Sequence, residues 1–296
     1  MTAIAVWFPR QVLEFNVLYF WSPEQRACEA PGEPVRFKSV RFATFNVNSI
    51  RARIAATQAW LEQRQPDVVM LQETKVIDTE FPSEEFVRSG YGVATSGQKS
   101  YNGVAILSRL PMRDVRIGLL DGKPDDERRY ISASIGALRC ISVYVPNGKA
   151  VGHPAFQAKL VWMDRLRETL LAETRQYDCP IMMGGDFNIA ADERDVWSPE
   201  AMQGQIHFHP DERAALRKLM GNELVDAFRA KCADSGQFSW WDYRGPSLRL
   251  NRGLRIDYVF VSRQLVSAID DAVIDSDVRR GERPSDHVPV VVDLGV

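Results

Sequence analysis

Cysteine is scarce in this sequence: Cys28, Cys140, Cys179 and Cys232 are scattered through 296 residues with no CxxC pair among them. That spacing excludes a disulfide framework and a structural zinc site, and it suits reduced, mostly buried thiols in a cytoplasmic protein. No apolar run approaches the roughly 20 residues that a membrane-spanning helix needs, so no membrane partner is expected. Neither sign of charge dominates. The 37 Lys and Arg against 39 Asp and Glu leave a formal net charge of −2, which excludes coating nucleic acid by bulk charge and confines any such contact to a local patch.

What is present is the composition of an ordinary globular protein, 45% hydrophobic and 26% charged. Met1 to Trp21 is apolar and aromatic, with only Arg10 and Glu14 charged, and Pro9 breaks it. It lacks the basic start and small-residue cleavage site of a secretory signal. The proline-rich stretch that follows, PEQRACEAPGEPV, reads as a linker. Residues 1–35 are therefore expected to be a poorly ordered extension, and 36–296 a single domain.

From Val35 onward short β-rich runs alternate with turns. Strands are expected at Arg41 to Val47, Val68 to Gln72, Gly92 to Ser96, Val104 to Ser108, Tyr130 to Ile135, Arg139 to Val145, Ile181 to Gly184, Arg255 to Val261 and Val288 to Leu294. Two helices stand out. One follows the capping candidate Ser49 with Ile50, Ile54, Thr57 and Leu61 on one face; the other carries Phe156, Leu160, Met163, Leu166 and Leu170. Many strands with helices laid outside them indicate two packed sheets flanked by helices, an α/β sandwich.

Acids and amides fall at the ends of these runs: Asn46 and Asn48 in FNVNS, Glu73 in LQETK, Asp186 and Asn188 in GGDFN, Asp257 in RIDYV, and Asp286 with His287 in PSDH. Any one of them is ordinary turn chemistry. Five such groups at strand ends of packed sheets can converge on one cleft.

These motifs, with GQKSYNGVAILS, VYVPNG, FSWWDYR and NRGLRIDYVFVS between them, resemble in order the exonuclease III family of abasic endonucleases. The resemblance runs from about Val35 to the C-terminus. It implies a four-layered sandwich of two mixed sheets flanked by helices. It also implies a DNA-repair phosphodiesterase with 3′-to-5′ exonuclease and/or abasic-site endonuclease activity. Phosphodiester hydrolysis needs phosphate charge neutralised, a water deprotonated in line and the leaving oxygen stabilised. Carboxylate and amide oxygens with one histidine suit a hard cation, magnesium with manganese as a substitute, better than zinc.

By that similarity Glu73 binds the metal, helped by Asp286 or Asn46, with Asp186, Asn188 and His287 completing the candidate metal set. Asp186 would activate or position the water, and Asn188 would hold water or phosphate. His287 would meet the phosphate, oriented by Asp257. Tyr144 would hydrogen-bond the phosphate or the leaving group. The other histidines, His153, His207 and His209, match no catalytic block, and IHFHP is expected to be a surface loop.

For substrate, Arg244, Arg249, Arg252 and Arg255 lie in a stretch without acids that follows Trp240 and Trp241, and read as a phosphate-gripping surface. The resemblance places Trp240 and Leu254, with Ile256, around an abasic sugar. Lys99, Tyr101, Asn102, Arg128 and Arg129 are further candidates for contact with the backbone of double-stranded DNA, bound by a monomer at abasic sites or 3′ ends. Two rivals remain: a superfamily phosphodiesterase or phosphatase for a non-DNA substrate, and a nucleic-acid binding module without catalysis.

Overall fold

The structure is a computed structural model that describes residues 39–120 and 127–295. The extension expected over 1–35 lies outside the described residues. In chain order the elements are β1 (Val40–Asn46), α1 (Ile50–Arg64), β2 (Val68–Gln72), α2 (Ser83–Arg88), β3 (Gly92–Ser96), β4 (Val104–Ser108), β5 (Met112–Ile117), β6 (Tyr130–Ile135) and β7 (Leu138–Tyr144). There follow α3 (Pro154–Tyr177), β8 (Ile181–Asp186), α4 (Pro199–Met202), α5 (Pro210–Met220), β9 (Leu224–Asp226), α6 (Ala227–Lys231), β10 (Asp257–Ser262), β11 (Ile269–Ile274) and β12 (Val290–Leu294).

The strands form two six-stranded mixed sheets, ordered β11-β12-β1-β2-β4-β3 and β5-β6-β7-β8-β10-β9. Each has one parallel pair at its centre, β1 with β2 and β7 with β8, and the chain between the partners supplies α1 in one case and α3 in the other. Strand alternation divides the side chains between three apolar layers. Phe42, Met70, Ile106, Met182 and Val259 pack between the sheets. Their neighbours in sequence point outward: Ala43, Leu71 and Leu107 meet Trp60 and Leu61 of α1, while Met183 and Phe260 meet Trp162 and Leu166 of α3. Both faces being covered, β2, β4 and β8 are buried throughout and read in sequence as continuous apolar runs. The result is the four-layered α/β sandwich.

The sheets approach closely at Gly184, two residues before Asp186 on β8. A Cβ on Gly184 would lie 2.7 Å from Met70 Cε, so only glycine allows that approach. Beside it, Gln72 of β2 donates to Ser142 Oγ of β7 at 3.0 Å, a buried hydrogen bond that ties one sheet to the other.

Three strands escape the sequence reading, and all are sheet edges. The exposed positions of β5 and β11 carry Arg113, Asp114, Asp270 and Asp271, and β9 is only three residues long. Charge and brevity protect edges against further pairing, and they also erase the apolar pattern. Ser49 corrects another expectation. It stands at the N-cap of α1 but its φ is 88° and its side chain makes no capping bond. The backbone amides of Ser49 and Ile50 instead reach the carbonyls of Glu73 and Thr74, at 2.7 and 3.1 Å. On α3 the buried stripe takes in Lys159, whereas Leu160 is only half-buried.

That stripe contains a second charge, Glu173, fully buried and paired with the equally buried Arg139 at 2.7 Å, and it also accepts from Tyr130 and Ser132. Glu173→Ala would strand a desolvated guanidinium and two hydroxyls. A loss of about 3–5 kcal/mol in urea unfolding is expected. A loss below about 1 kcal/mol, the range of exposed pairs, would show that water reaches Arg139 in the native state.

Candidate active site

Strand register gathers the chemistry at one end of the sandwich. Asp186, the last residue of β8, lies directly beside Tyr144 of β7 and Asp257 of β10. Across the gap between the sheets, Asn46 ends β1 opposite Gln72 of β2, with Glu73 the next residue. Asp286 and His287 arrive on the loop before β12, where Ser285 Oγ donates to the Asn46 carbonyl at 2.7 Å.

Asn46 joins the two sheets chemically. Its Nδ2 donates to Glu73 Oε1 and to Asp186 Oδ2, both at 2.9 Å, and its Oδ1 accepts from the Asn48 amide at 3.0 Å. Glu73 adopts φ 51°, in the left-handed region that costs a non-glycine residue energy and recurs at functional sites. Lys75 pairs with its other oxygen at 2.7 Å. Asp186 also accepts from the Asn188 amide at 2.8 Å, and Asn188 shares the left-handed conformation at φ 53°. Asp286 takes hydrogen bonds from Asn48 Nδ2 at 2.8 Å and Trp240 Nε1 at 3.0 Å.

His287 is buried with Nδ1 2.9 Å from Asp257 Oδ2, and Ser239 Oγ donates to that same oxygen at 2.6 Å. Its Nε2 lies 3.7 Å from Asp186 Oδ2. One atom each from Glu73, Asp186 and His287 fall within 4.8 Å of one another.

Burial works against every charge here, and the neighbours decide which survive. It pushes the Asp186 carboxyl up, and Asp257 and Glu73 add to that against the pull of His287, to about 7. Burial also opposes the His287 imidazolium, but Asp257 and Asp186 outweigh it and hold the ring charged, up to about 10. Glu73 stays below its ordinary range despite desolvation because Lys75 and Asn46 favour the anion. Asp286 does likewise through His287, Asn48 and Trp240. Burial, with Glu73 and Asp186 nearby, raises the Tyr144 hydroxyl well above its usual value and keeps it a proton donor.

The outer candidates divide. Lys99 and Tyr101 are exposed on a loop fastened to the Glu73 turn by Thr74 N to Gly103 O at 3.1 Å and Lys75 N to Asn102 O at 3.0 Å. Arg128 is half-buried and accepts from Gly103 through its carbonyl at 3.1 Å. Asn102, in contrast, is buried with its side-chain amide donated to Gln98, and so offers little to a backbone outside. Arg129 also turns inward: its guanidinium lies 4.7 Å from the Tyr144 ring centre and bonds Glu127 at 2.6 Å. Arg255 leaves the expected phosphate surface altogether, fully buried between Asp195 and Asp226 at 2.7 Å each.

Arg252 is exposed and stacks on Trp197, 5.1 Å to the ring centre. Trp240 pairs by isolated backbone bridges with both Leu254 and His287, and its ring centre lies 6.4 Å from that of the imidazole. Leu254 and Ile256 are buried in an apolar cluster against which Trp240 packs.

Sequence reasoning missed several supporting groups. Asn48 and Lys75 sit inside the quoted words FNVNS and LQETK without an assigned task, and Ser239 and Ser285 within FSWWDYR and RPSDH. Nothing in IHFHP announces its work either: His209 caps α5 and His207, half-buried, places Nδ1 2.7 Å from the Asn188 carbonyl, while His153 caps α3. The His207 ring centre is 6.4 Å from that of Trp240, and burial with Lys159 nearby pushes its pKa down to about 3.

Comparison with known proteins agrees with this geometry. A family model described as the endonuclease/exonuclease/phosphatase family matches residues 43–287. Exodeoxyribonuclease III of Haemophilus influenzae is 36% identical over 85% of this chain and 98% of its own length. An exodeoxyribonuclease of Bacillus subtilis is 30% identical over 87% of this chain and 100% of its own. An AP endonuclease structure from Archaeoglobus fulgidus superposes with a TM-score of 0.83 at 37% identity, covering 87% of this chain and 100% of its own. A Neisseria 3′ phosphatase bound to a product DNA hairpin gives 0.84 at 36%, with the same coverage. The match begins in the first strand and ends on His287 itself, so the chain belongs to the endonuclease/exonuclease/phosphatase family.

Proposed function

We propose that this chain is a DNA-repair phosphodiesterase of the exodeoxyribonuclease III type, acting as a cytoplasmic monomer on double-stranded DNA at 3′ ends and abasic sites. The observation that carries this reading is the convergence of Glu73, Asp186 and His287 within 4.8 Å, at the end of the sandwich flanked by Trp240 and Arg252. Similarity over nearly the whole length of DNA-directed relatives favours DNA over a lipid or inositol phosphate. The complete set of acids and imidazole favours an enzyme over a binding module.

The donor set fits magnesium, with manganese as a substitute. Glu73 and Asp286 offer desolvated carboxylates held anionic, Asn46 brings an amide, and among the described residues no cysteine joins the cluster. When bound, such a cation neutralises charge on the phosphate oxygens and acidifies water.

The rest is done by the chain. Asp186, fixed by Asn46 and the Asn188 amide, accepts the proton of the attacking water. With Nδ1 occupied by Asp257, His287 has only Nε2 to offer, and donates it to a non-bridging phosphate oxygen rather than ligating metal. Tyr144, braced by Arg129, donates to the leaving oxygen. Lys99, Tyr101, Arg128 and Arg252 grip the backbone, which carries no base sequence, so cleavage follows DNA structure.

Glu73→Gln should cut turnover by at least roughly a hundredfold and raise the magnesium needed for half-maximal rate, with the fold intact by circular dichroism. Cleavage by the parent that is as fast in excess chelator as in magnesium would refute a metal-dependent reaction.

Trp240 has two contacts that separate experimentally. Trp240→Phe keeps the apolar wall but removes the bond to Asp286, so the magnesium requirement should rise while the ratio of abasic incision to 3′-end degradation holds. Trp240→Ala should lower that ratio as well, since an abasic residue leaves the stack at little cost and needs the wall to hold it. Both are measured at one salt concentration. A ratio unchanged in Trp240→Ala would make this side chain purely a support for Asp286.

A further inference from the structure

Lys159 occupies the buried stripe of α3, where an aliphatic side chain would fill the space without desolvating a charge. Its Nζ donates to three oxygens from separate parts of the chain: the Asn188 carbonyl at 2.7 Å, the Asn147 carbonyl at 3.3 Å and Glu212 Oε1 of α5 at 2.5 Å. The other carboxylate oxygen of Glu212 accepts from the His209 amide, which starts α5. Gly148, at φ 88°, leaves room for the lysine stem: a Cβ there would come within 3.1 Å of Lys159 Cδ.

The two carbonyls belong to the loops that leave β7 and β8, and those loops begin directly after Tyr144 and Asp186, the last residues of the two strands. Their side chains meet as well, Asn147 Nδ2 donating to Asn188 Oδ1 at 3.1 Å. Asn188 is at φ 53°, a left-handed conformation that asparagine tolerates, and its amide is one of the donors that fix Asp186. Lys159 and His207 both bond its carbonyl. The peptide units on either side of Asn188 are thus pinned from opposite directions, one by the catalytic carboxylate and one by a buried ammonium.

We infer that Lys159 is a positioning residue: from the floor of the domain it clamps the Asn147 and Asn188 loops so that the Asn188 amide and side chain face Asp186 in their working geometry. This rests on the phosphodiesterase reading above. The geometry implies a defect in the chemical step, not in DNA affinity, because Lys159 touches no exposed surface.

The test separates the clamp from its ion pair. Lys159→Met alone leaves Glu212 buried and unpaired, so both stability and rate should fall. In Lys159→Met with Glu212→Gln no charge is stranded, and the melting temperature should return to near that of the parent. The single-turnover rate on a 3′-end duplex at saturating magnesium should nevertheless stay at least tenfold down, with DNA affinity within threefold. Amide exchange followed by mass spectrometry should accelerate in 146–150 and 187–191 of the double variant. Recovery of the parental rate together with stability would overturn the proposal and reduce Lys159 to half of an ion pair. If the parent itself cleaves no DNA, the phosphodiesterase reading falls. The clamp is then judged by exchange alone, and unaltered exchange in those two loops refutes it.

Discussion

Four carboxylates brought together in a space largely closed to water are the constraint on which this structure turns. Glu73, Asp186, Asp257 and Asp286 repel one another, and burial amplifies the repulsion. Each is met by a specific donor: Lys75 and Asn46, Asn46 and the Asn188 amide, Ser239 and His287, Asn48 and Trp240. Burial drives Asp186 upward, to about 7, with Asp257 and Glu73 adding to it, while Glu73 and Asp286 are held below their ordinary range. A group poised near neutrality among groups held ionised is the arrangement from which general base chemistry is built.

The sandwich accounts for how the repelling acids are kept together. No single strand carries two of them, so no local conformational preference opposes their placement. They meet because the ends of β2, β8 and β10 converge with the loop before β12, and the energy that closes the two sheets comes from the apolar layers between and outside them. The positive φ values of Glu73 and Asn188 mark where that burial energy is drawn on.

Much of this was legible before any coordinates. Central strands such as Val68–Gln72 and Val104–Ser108 announce themselves because both faces are covered, and the edge strands stay hidden because their outward positions are charged. The acids and His287 were recognisable from the short words around them. Their donors were not, for two reasons. Asn48, Ser239 and Ser285 act through hydrogen bonds to residues far off in the chain, which no spacing encodes, and Arg129 and Arg255 look in sequence like any exposed arginine. Arg255 lies between Asp195 and Asp226 on the segment before β10, and both partners are distant in the chain, so nothing next to it in sequence marks it as buried.

The close approach of the sheets at Gly184 bears on the site in another way. Glu73 is delivered by one sheet and Asp186 by the other, so the distance between them is a thickness, set by what fills the gap between the layers. Met70 and Gly184 act there as a spacer. A thioether rests there on a bare backbone, Met70 Sδ accepting from the Gly184 amide at 3.1 Å, so the layer that looks like inert filling shares in setting the width of the candidate site.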